Sequence, residues 1–527
     1  MRSRFFLLTL VLVFALSISV LAADEPQYGG TLYLENNEDW DTIDPAYCSG
    51  FDAGEMAVKI FDGLVRFDYY SNDIVPDLAE SWEVKNDNKT FIFHLRKGVK
   101  FHNGREFTAQ DVKYTFDRLY DPETASPGTW VYDMIVGIDE ALAGKADGVA
   151  GVQVIDDYTV RFDLKYPFGL FLTHLTLPYG LIVPQEEVEK WGEQFSQHPV
   201  GTGPWKFVEW EHDNKLVLEA NEDYWEGRPY LDRVVYRVIP QALTRIAEFE
   251  AGNLDYTSVP QEEIQRWTND PKWKPYVHKM AELSSYYLAL NQKFKPLDNP
   301  KVKQAIALAI DSEQIVKALF PNYVPADDAI PDGMPGGSDK PGLGYDPEKA
   351  KELLAEAGYP DGFEMEIWTS TGEKSVRVGG VLQALLKRVG IDVKLVKNDW
   401  SVFFATVKKG EAPAYYLSWW ADYADPYNFL KALYGSEGSR INYKNVVVDK
   451  MLEEMARTTS VEARVNISKK IIDVVRKEGD PYVWLYHTSS VTIKQPWVKG
   501  ELHHQMYDAD KLVTWWIDQN IKEEMSK

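Results

Sequence analysis

The stretch Asn398–Leu430, opening NDWSVF and closing SWWADYADPYNFL, gathers the residues of this chain best suited to recognition chemistry. Asp422 follows an extended run, Ala414–Trp419, and has Trp419, Trp420 and Tyr423 as close neighbours. A carboxylate in a loop after a strand, walled by aromatics, can pair with an ammonium that is costly to enclose unpaired. The same tryptophans, with Trp400, could instead stack on pyranose faces. A sugar carries no ammonium, so Asp422 discriminates between the two ligand classes. Blander readings stand beside these. Asp422 and Asp425–Pro426 both read as turn residues, and Trp420 can pack inward because neighbouring strand residues face opposite ways.

No catalytic constellation competes with this reading. His487 stands alone in YHTSS, and His503–His504 reads as a surface pair. The zincin, nucleophile-elbow and CxxC patterns do not occur. GTGPWK at Gly201–Lys206 lacks the third glycine of a dinucleotide loop, and Lys374–Ser375 follows a single glycine. No enzyme activity, cofactor or metal is expected.

The elements that must hold Asn398–Leu430 belong to a long chain. At 527 residues it needs two or three domains. Residues 1–23 read as a secretory signal: Arg2 and Arg4, an apolar stretch Phe5–Val20, then Leu21–Ala22–Ala23. No Cys stands at that cleavage site, so a soluble periplasmic or secreted protein is expected. Cleavage removes two arginines and moves the formal charge from −24 to −26, which argues against nucleic acid and anionic membranes as partners. Cys48, the single cysteine, reads as a small buried apolar residue.

Alternation and helical spacing place the elements. Strands are predicted at Gly29–Leu34, Thr159–Leu164, Tyr286–Leu290, Phe363–Trp368, Asp392–Val396, Ala414–Trp419 and Tyr482–Tyr486. Helices are predicted at Glu55–Val65, Asn299–Ile310, Asp346–Gly358 and Ala463–Val475. Asp346 and Pro347 open the best specified of these, and Gly358 closes it. Val75–Arg118 reads as hairpin, turn and helix. Phe91, Phe93 and Leu95 alternate along its strand, Asn86–Asn88 make the turn, and Thr108 caps the helix with Asp111 three residues on.

Within that stretch PDLAESWEV, FHLRKGVKFHNG and FTAQDVKY closely resemble the signature of family 5 extracellular solute-binding proteins. These are the peptide- and nickel-type receptors of bacterial ABC importers. NEDYWEGRP at Asn221–Pro229 resembles the family's next landmark. Asp121–Lys145, with its TASP and GIDE segments, and the W-x-ADY core at Trp419–Tyr423 are similar to the oligopeptide-binding branch.

The resemblance implies an α/β, two-lobed periplasmic-binding-protein fold (type II, cluster C) with an inserted subdomain and a hinge. Lobe I would take residues 24–70, 186–282 and 482–527, the insert 71–185, and lobe II 283–481. It further implies that Asp422 binds the amino end of a peptide and that Trp400 and Trp419 line side-chain pockets. Ser418–Trp420 would lie extended along the ligand backbone, beside Tyr423. One departure stands out. Tyr416 occupies the position of an arginine that takes the carboxylate of short ligands, and Lys374 is the nearest basic match elsewhere, with Arg377 a substitute. The implied partners are a short peptide, or alternatively an oligosaccharide, and membrane permease subunits, with the receptor a monomer. Nickel is disfavoured because few histidines fall near the expected cleft.

Overall fold

A computed structural model describes residues 25–506 and 509–525. The signal-sequence reading of residues 1–23 lies outside the described residues.

The signature region folds as its pattern predicts. Strands Ala79–Lys85 and Thr90–Leu95 pair antiparallel, and Asn86, Asp87 and Asn88 turn the chain at φ 54°, 54° and 59°, a region Asn and Asp tolerate. Phe91, Phe93 and Leu95 are buried. Strands Thr159–Asp163 and Val152–Asp156 complete a four-stranded sheet, with helix Ala109–Leu119 packed on it. Asp111 accepts from the Thr108 amide at 2.9 Å and is clamped by Arg105 at 2.6 and 3.0 Å, so the capping carboxylate is itself fixed.

The remaining signature letters are joints between distant segments. The His102 amide donates to Gly201 O at 2.8 Å, and its ring joins Gly203 O and the Gly201 amide at 2.9 and 3.3 Å. Burial pulls the His102 pKa down to about 4, which keeps the ring neutral. A Cβ on Gly201 would fall 2.1 Å from the Ile60 carbonyl oxygen, so the GTGP loop requires glycine there. Asp77 of PDLAESWEV is buried beside Asp62, and both grip Lys511 Nζ, at 3.0 and 2.5 Å.

Two further sheets make the lobes. The first has strand order Thr31–Asn36, Arg233–Val238, Lys215–Ala220, Trp205–Glu211, and its core holds Leu32, Ile60, Trp205, Leu218 and Val234. The second, seven-stranded, runs Tyr256–Ser258, Tyr482–Lys494, Val277–Leu290, Ala414–Trp420, Phe363–Ser370, Ile391–Asn398, with Val324–Pro325 against Tyr482–Lys494. Helix Glu373–Lys387 makes the crossover between the parallel strands Phe363–Ser370 and Ile391–Asn398. Asp346 caps helix Pro347–Glu356 by accepting from the Lys349 amide at 2.9 Å, as its sequence predicts. Leu288, Val302, Leu354, Ile367, Val378 and Ile391 form the second lobe's core.

Two strands are much longer than their alternation predicts. Val277–Leu290 has 14 residues and Tyr482–Lys494 has 13. Val483 and Leu485 pack in the second lobe's core, whereas Val491 and Ile493 pack with Ile239, Phe249 and Trp267. The pair therefore runs from one lobe to the other. Its register slips between Ala281 and Ser285, a bulge that loosens the ladder midway. The inserted subdomain also meets the second lobe. Gly169 N donates to Ala456 O at 2.8 Å, and the His174 and Tyr423 rings lie 4.9 Å apart.

Candidate ligand-binding site

Where the lobes face each other a cavity of about 380 Å³ opens, at the lower end of the range for small-ligand sites. Leu34, Glu35, Phe51, Glu55 and Tyr236 wall it from the first lobe, Trp420 and Ala421 from the second. The long strands contribute His278, Met280, Glu282 and Ser490.

Two strand edges reach this cavity. Thr31–Asn36 is the edge of its sheet, paired only with Arg233–Val238. On its outer side the Tyr33 amide and carbonyl are taken by Asp255, both at 2.8 Å. Two residues on, Glu35, which lines the cavity, turns its backbone groups to the same outer side. Opposite, Ala414–Trp420 pairs along its length with Val277–Leu290 but is bridged to Phe363–Ser370 only at Tyr415. Ala421 N donates to Leu283 O at 2.9 Å, so odd-numbered residues face the long strand and Ser418 and Trp420 face the open edge. The Ser418 carbonyl receives one distant bond, 3.5 Å from the Tyr287 hydroxyl.

Asp422 stands one residue beyond the cavity lining. Its Oδ2 accepts from Asn428 Nδ2 at 2.8 Å, and Asn428 Oδ1 accepts from Trp419 Nε1 at 2.8 Å. Burial raises the Asp422 pKa, opposed by the Asn428 bond and the charge of Arg440. Asn428 lies on helix Pro426–Tyr434, which Asp425 caps by accepting from the Tyr427 amide at 2.9 Å. The turn expected at Asp425–Pro426 is thus a helix start with proline at its first position. Buried Arg464 holds the Asp425 carboxylate at 2.8 Å. A chain of polar contacts therefore runs from Arg464 through Asp425 and Asn428 to Asp422.

The other expected residues divide. Trp420 lines the cavity, and Trp400 is exposed, its ring stacked 5.1 Å from Phe404. Arg440 lies over Phe404 and Trp419 at 5.2 and 5.4 Å. Tyr416 is 3% exposed, and its hydroxyl bonds that of Tyr486 inside the second lobe's core. Tyr423 is equally buried, against His174. Lys374 does not reach the cavity lining. Its ammonium lies 4.1 Å from the Tyr286 ring centre and 5.1 Å from that of Tyr323, held by cation–π attraction. Among the described residues no group of three or more His, Cys, Asp or Glu is placed to hold a metal, and no helix is long and apolar enough to cross a membrane.

A model of bacterial extracellular solute-binding proteins, family 5 (middle), matches residues 73–440. The chain belongs to this family. Among relatives, Heme-binding protein A of Haemophilus influenzae is 33% identical over 479 residues, 86% of each chain. The Dipeptide-binding protein of Escherichia coli is 30% identical over 484 residues, covering 86% of this chain and 88% of its own. The structure of the ABC transporter-associated periplasmic binding protein DppA from Helicobacter pylori, in complex with peptide STSA, is similar at TM-score 0.78 and 30% identity. That match covers 93% of this chain and 99% of the other.

Several cavity residues of this family 5 protein escape sequence reasoning. Glu35, Glu55, Tyr236, Glu282 and Asp510 come from segments far apart in the chain. None carries a local pattern that marks it.

Proposed function

We propose that this chain is the extracytoplasmic receptor of an ABC importer, capturing short peptides between two closing lobes for delivery to a membrane permease. The observation that carries the reading is the pair of strand edges that end at one cavity, with Glu35 lining it from one lobe and Trp420 from the other. An extended peptide completes both edges by main-chain pairing, which reads any sequence. Asp422 then meets the peptide ammonium, and the enclosure that raises its pKa makes such a pairing favourable. A sugar has no repeating main-chain N–H and C=O groups with which to complete either edge as a strand does. Binding rather than catalysis is the role these groups support.

The lobes are read as residues 24–70, 186–282 and 482–527 for the first, with the insert at 71–185, and 283–481 for the second. The register slip between Ala281 and Ser285 supports reading the hinge there. There Ser284 and Thr488 hydroxyls lie 2.5 Å apart, and Ser285 Oγ reaches His487 Nδ1 at 3.0 Å. Short hydroxyl contacts at a bulge can exchange as the strands bend. A ligand favours closure only by its differential affinity for the closed form.

Titration calorimetry with trialanine and with maltotriose tests the proposal. Trialanine binds with micromolar or better affinity and maltotriose gives no heat. Binding of maltotriose alone would overturn it.

A further inference from the structure

The cavity is lined by Glu35, Glu55, Glu282 and Asp510, and among the described residues by no lysine or arginine. Some of this charge is answered from behind. Arg245 Nε lies 3.3 Å from Glu35, and buried Lys59 lies 3.3 Å from Glu55. On the first lobe's wall, however, the single Lys59 serves both Glu55 and Asp510. Asp510 is positioned by the Leu512 amide at 2.8 Å and the Trp515 indole at 3.0 Å. Tyr236 lines the same cavity within reach of the charge of both carboxylates; it is 5% exposed, and its buried hydroxyl has no hydrogen-bond partner. An orphaned buried hydroxyl is uncommon and calls for an explanation. A neutral donor would satisfy it but leave the excess negative charge; a cationic N–H donor answers both.

We infer that Glu55, Asp510 and the Tyr236 hydroxyl form a subsite for a cationic side chain, the ammonium of lysine or the guanidinium of arginine, on a bound peptide. The inference rests on the peptide-receptor reading and adds a preference to it. The Tyr236 oxygen accepts one N–H, and the two carboxylates share the charge, as ionised acceptors suit. An acidic side chain in the same place meets like charge with no lysine or arginine among the described lining residues to offset it. Burial, with the charge of Lys59 opposing, raises the Asp510 pKa to about 6, in keeping with a carboxylate short of counter-charge.

Calorimetry of the full mature chain with trialanine and its single-lysine and single-glutamate variants decides the matter. At one ligand position lysine binds about tenfold or more tightly than alanine, and glutamate more weakly, as desolvated charge pairs require. Glu55→Gln and Tyr236→Phe each shrink that lysine-to-alanine ratio several-fold. Tyr236→Phe removes only an unpartnered hydroxyl, so it tests the subsite without threatening the fold. Equal affinity for lysine, alanine and glutamate peptides would overturn the subsite while leaving the peptide receptor intact. A lysine preference unchanged in both variants would do the same. If no peptide of the set binds, the receptor reading itself falls.

Discussion

Replacing Asp422 by Asn removes one charge from the proposed amino-end site and keeps its shape. In the protein as it stands, the Asp422 carboxylate is held at 2.8 Å by Asn428, which also positions the Trp419 indole. Asn at 422 can present its carbonyl oxygen to the same Asn428 amide, so the loop keeps its form. The ligand ammonium then sits enclosed with no counter-charge. Truncating one partner of a buried charge pair costs about 2–5 kcal/mol, on the order of 30-fold to several thousand-fold in Kd. Titration calorimetry with trialanine and N-acetyl-trialanine on both proteins closes a double-mutant cycle. Acetylation should cost the wild type most of that energy and cost Asp422→Asn almost nothing further. The free protein should melt no lower than wild type, because burial already penalises the charged form of Asp422. Equal affinity of the wild type for the free and acetylated peptides would refute the ammonium pairing.

Other outcomes follow from the same contacts. Lys511→Met leaves Asp62 and Asp77 buried without their shared ammonium, and urea denaturation should show about 3–5 kcal/mol lost. Arg464→Met strands the buried Asp425 carboxylate. A stability loss of similar size, about 3–5 kcal/mol, should come with weaker peptide binding, because the helix bearing Asn428 loosens. N-methylation of the ligand's amides removes its edge-pairing donors, and calorimetry should record a loss of about tenfold or more, a hydrogen bond or two. The pH profile has a defined sign. Burial, with the charges of neighbouring carboxylates adding to it, raises the Asp52 pKa to about 6, and burial does the same for Asp510. Unfolded aspartate titrates near 3.9, so between these values the folded state holds more protons, and stability from these groups is lost as pH rises through about 6. Melting of the unliganded protein at pH 5 and pH 7 should show this trend, reduced in Asp52→Asn.

Much of the fold was legible because its elements carry their own period and caps. The hairpin at Phe91–Leu95, the helix opened by Asp346–Pro347 and the parallel strands of the second lobe all announce themselves locally. The long strands did not. Their inter-lobe halves, Val277–Ala281 and Ser489–Thr492, are mostly polar or partly exposed, and only pairing across some two hundred residues makes them strands. Asp425–Pro426 misled for a different reason, since Asx-Pro serves equally as a turn and as a helix cap. At the candidate site, the segment bearing Asp422 and Trp420 stood out through its resemblance to a family segment, and Trp420 lines the cavity. Tyr416 and Tyr423 lie in that segment too, but strand alternation and packing turn them into the interior. The acidic wall of Glu55 and Asp510 joins residues more than four hundred positions apart, beyond the reach of any local pattern.

The most direct test of the account is mass spectrometry of small molecules released on denaturing protein that was purified without refolding. A ladder of short peptides is expected, with basic residues over-represented. Hexose-spaced masses, or a single porphyrin mass, would contradict it.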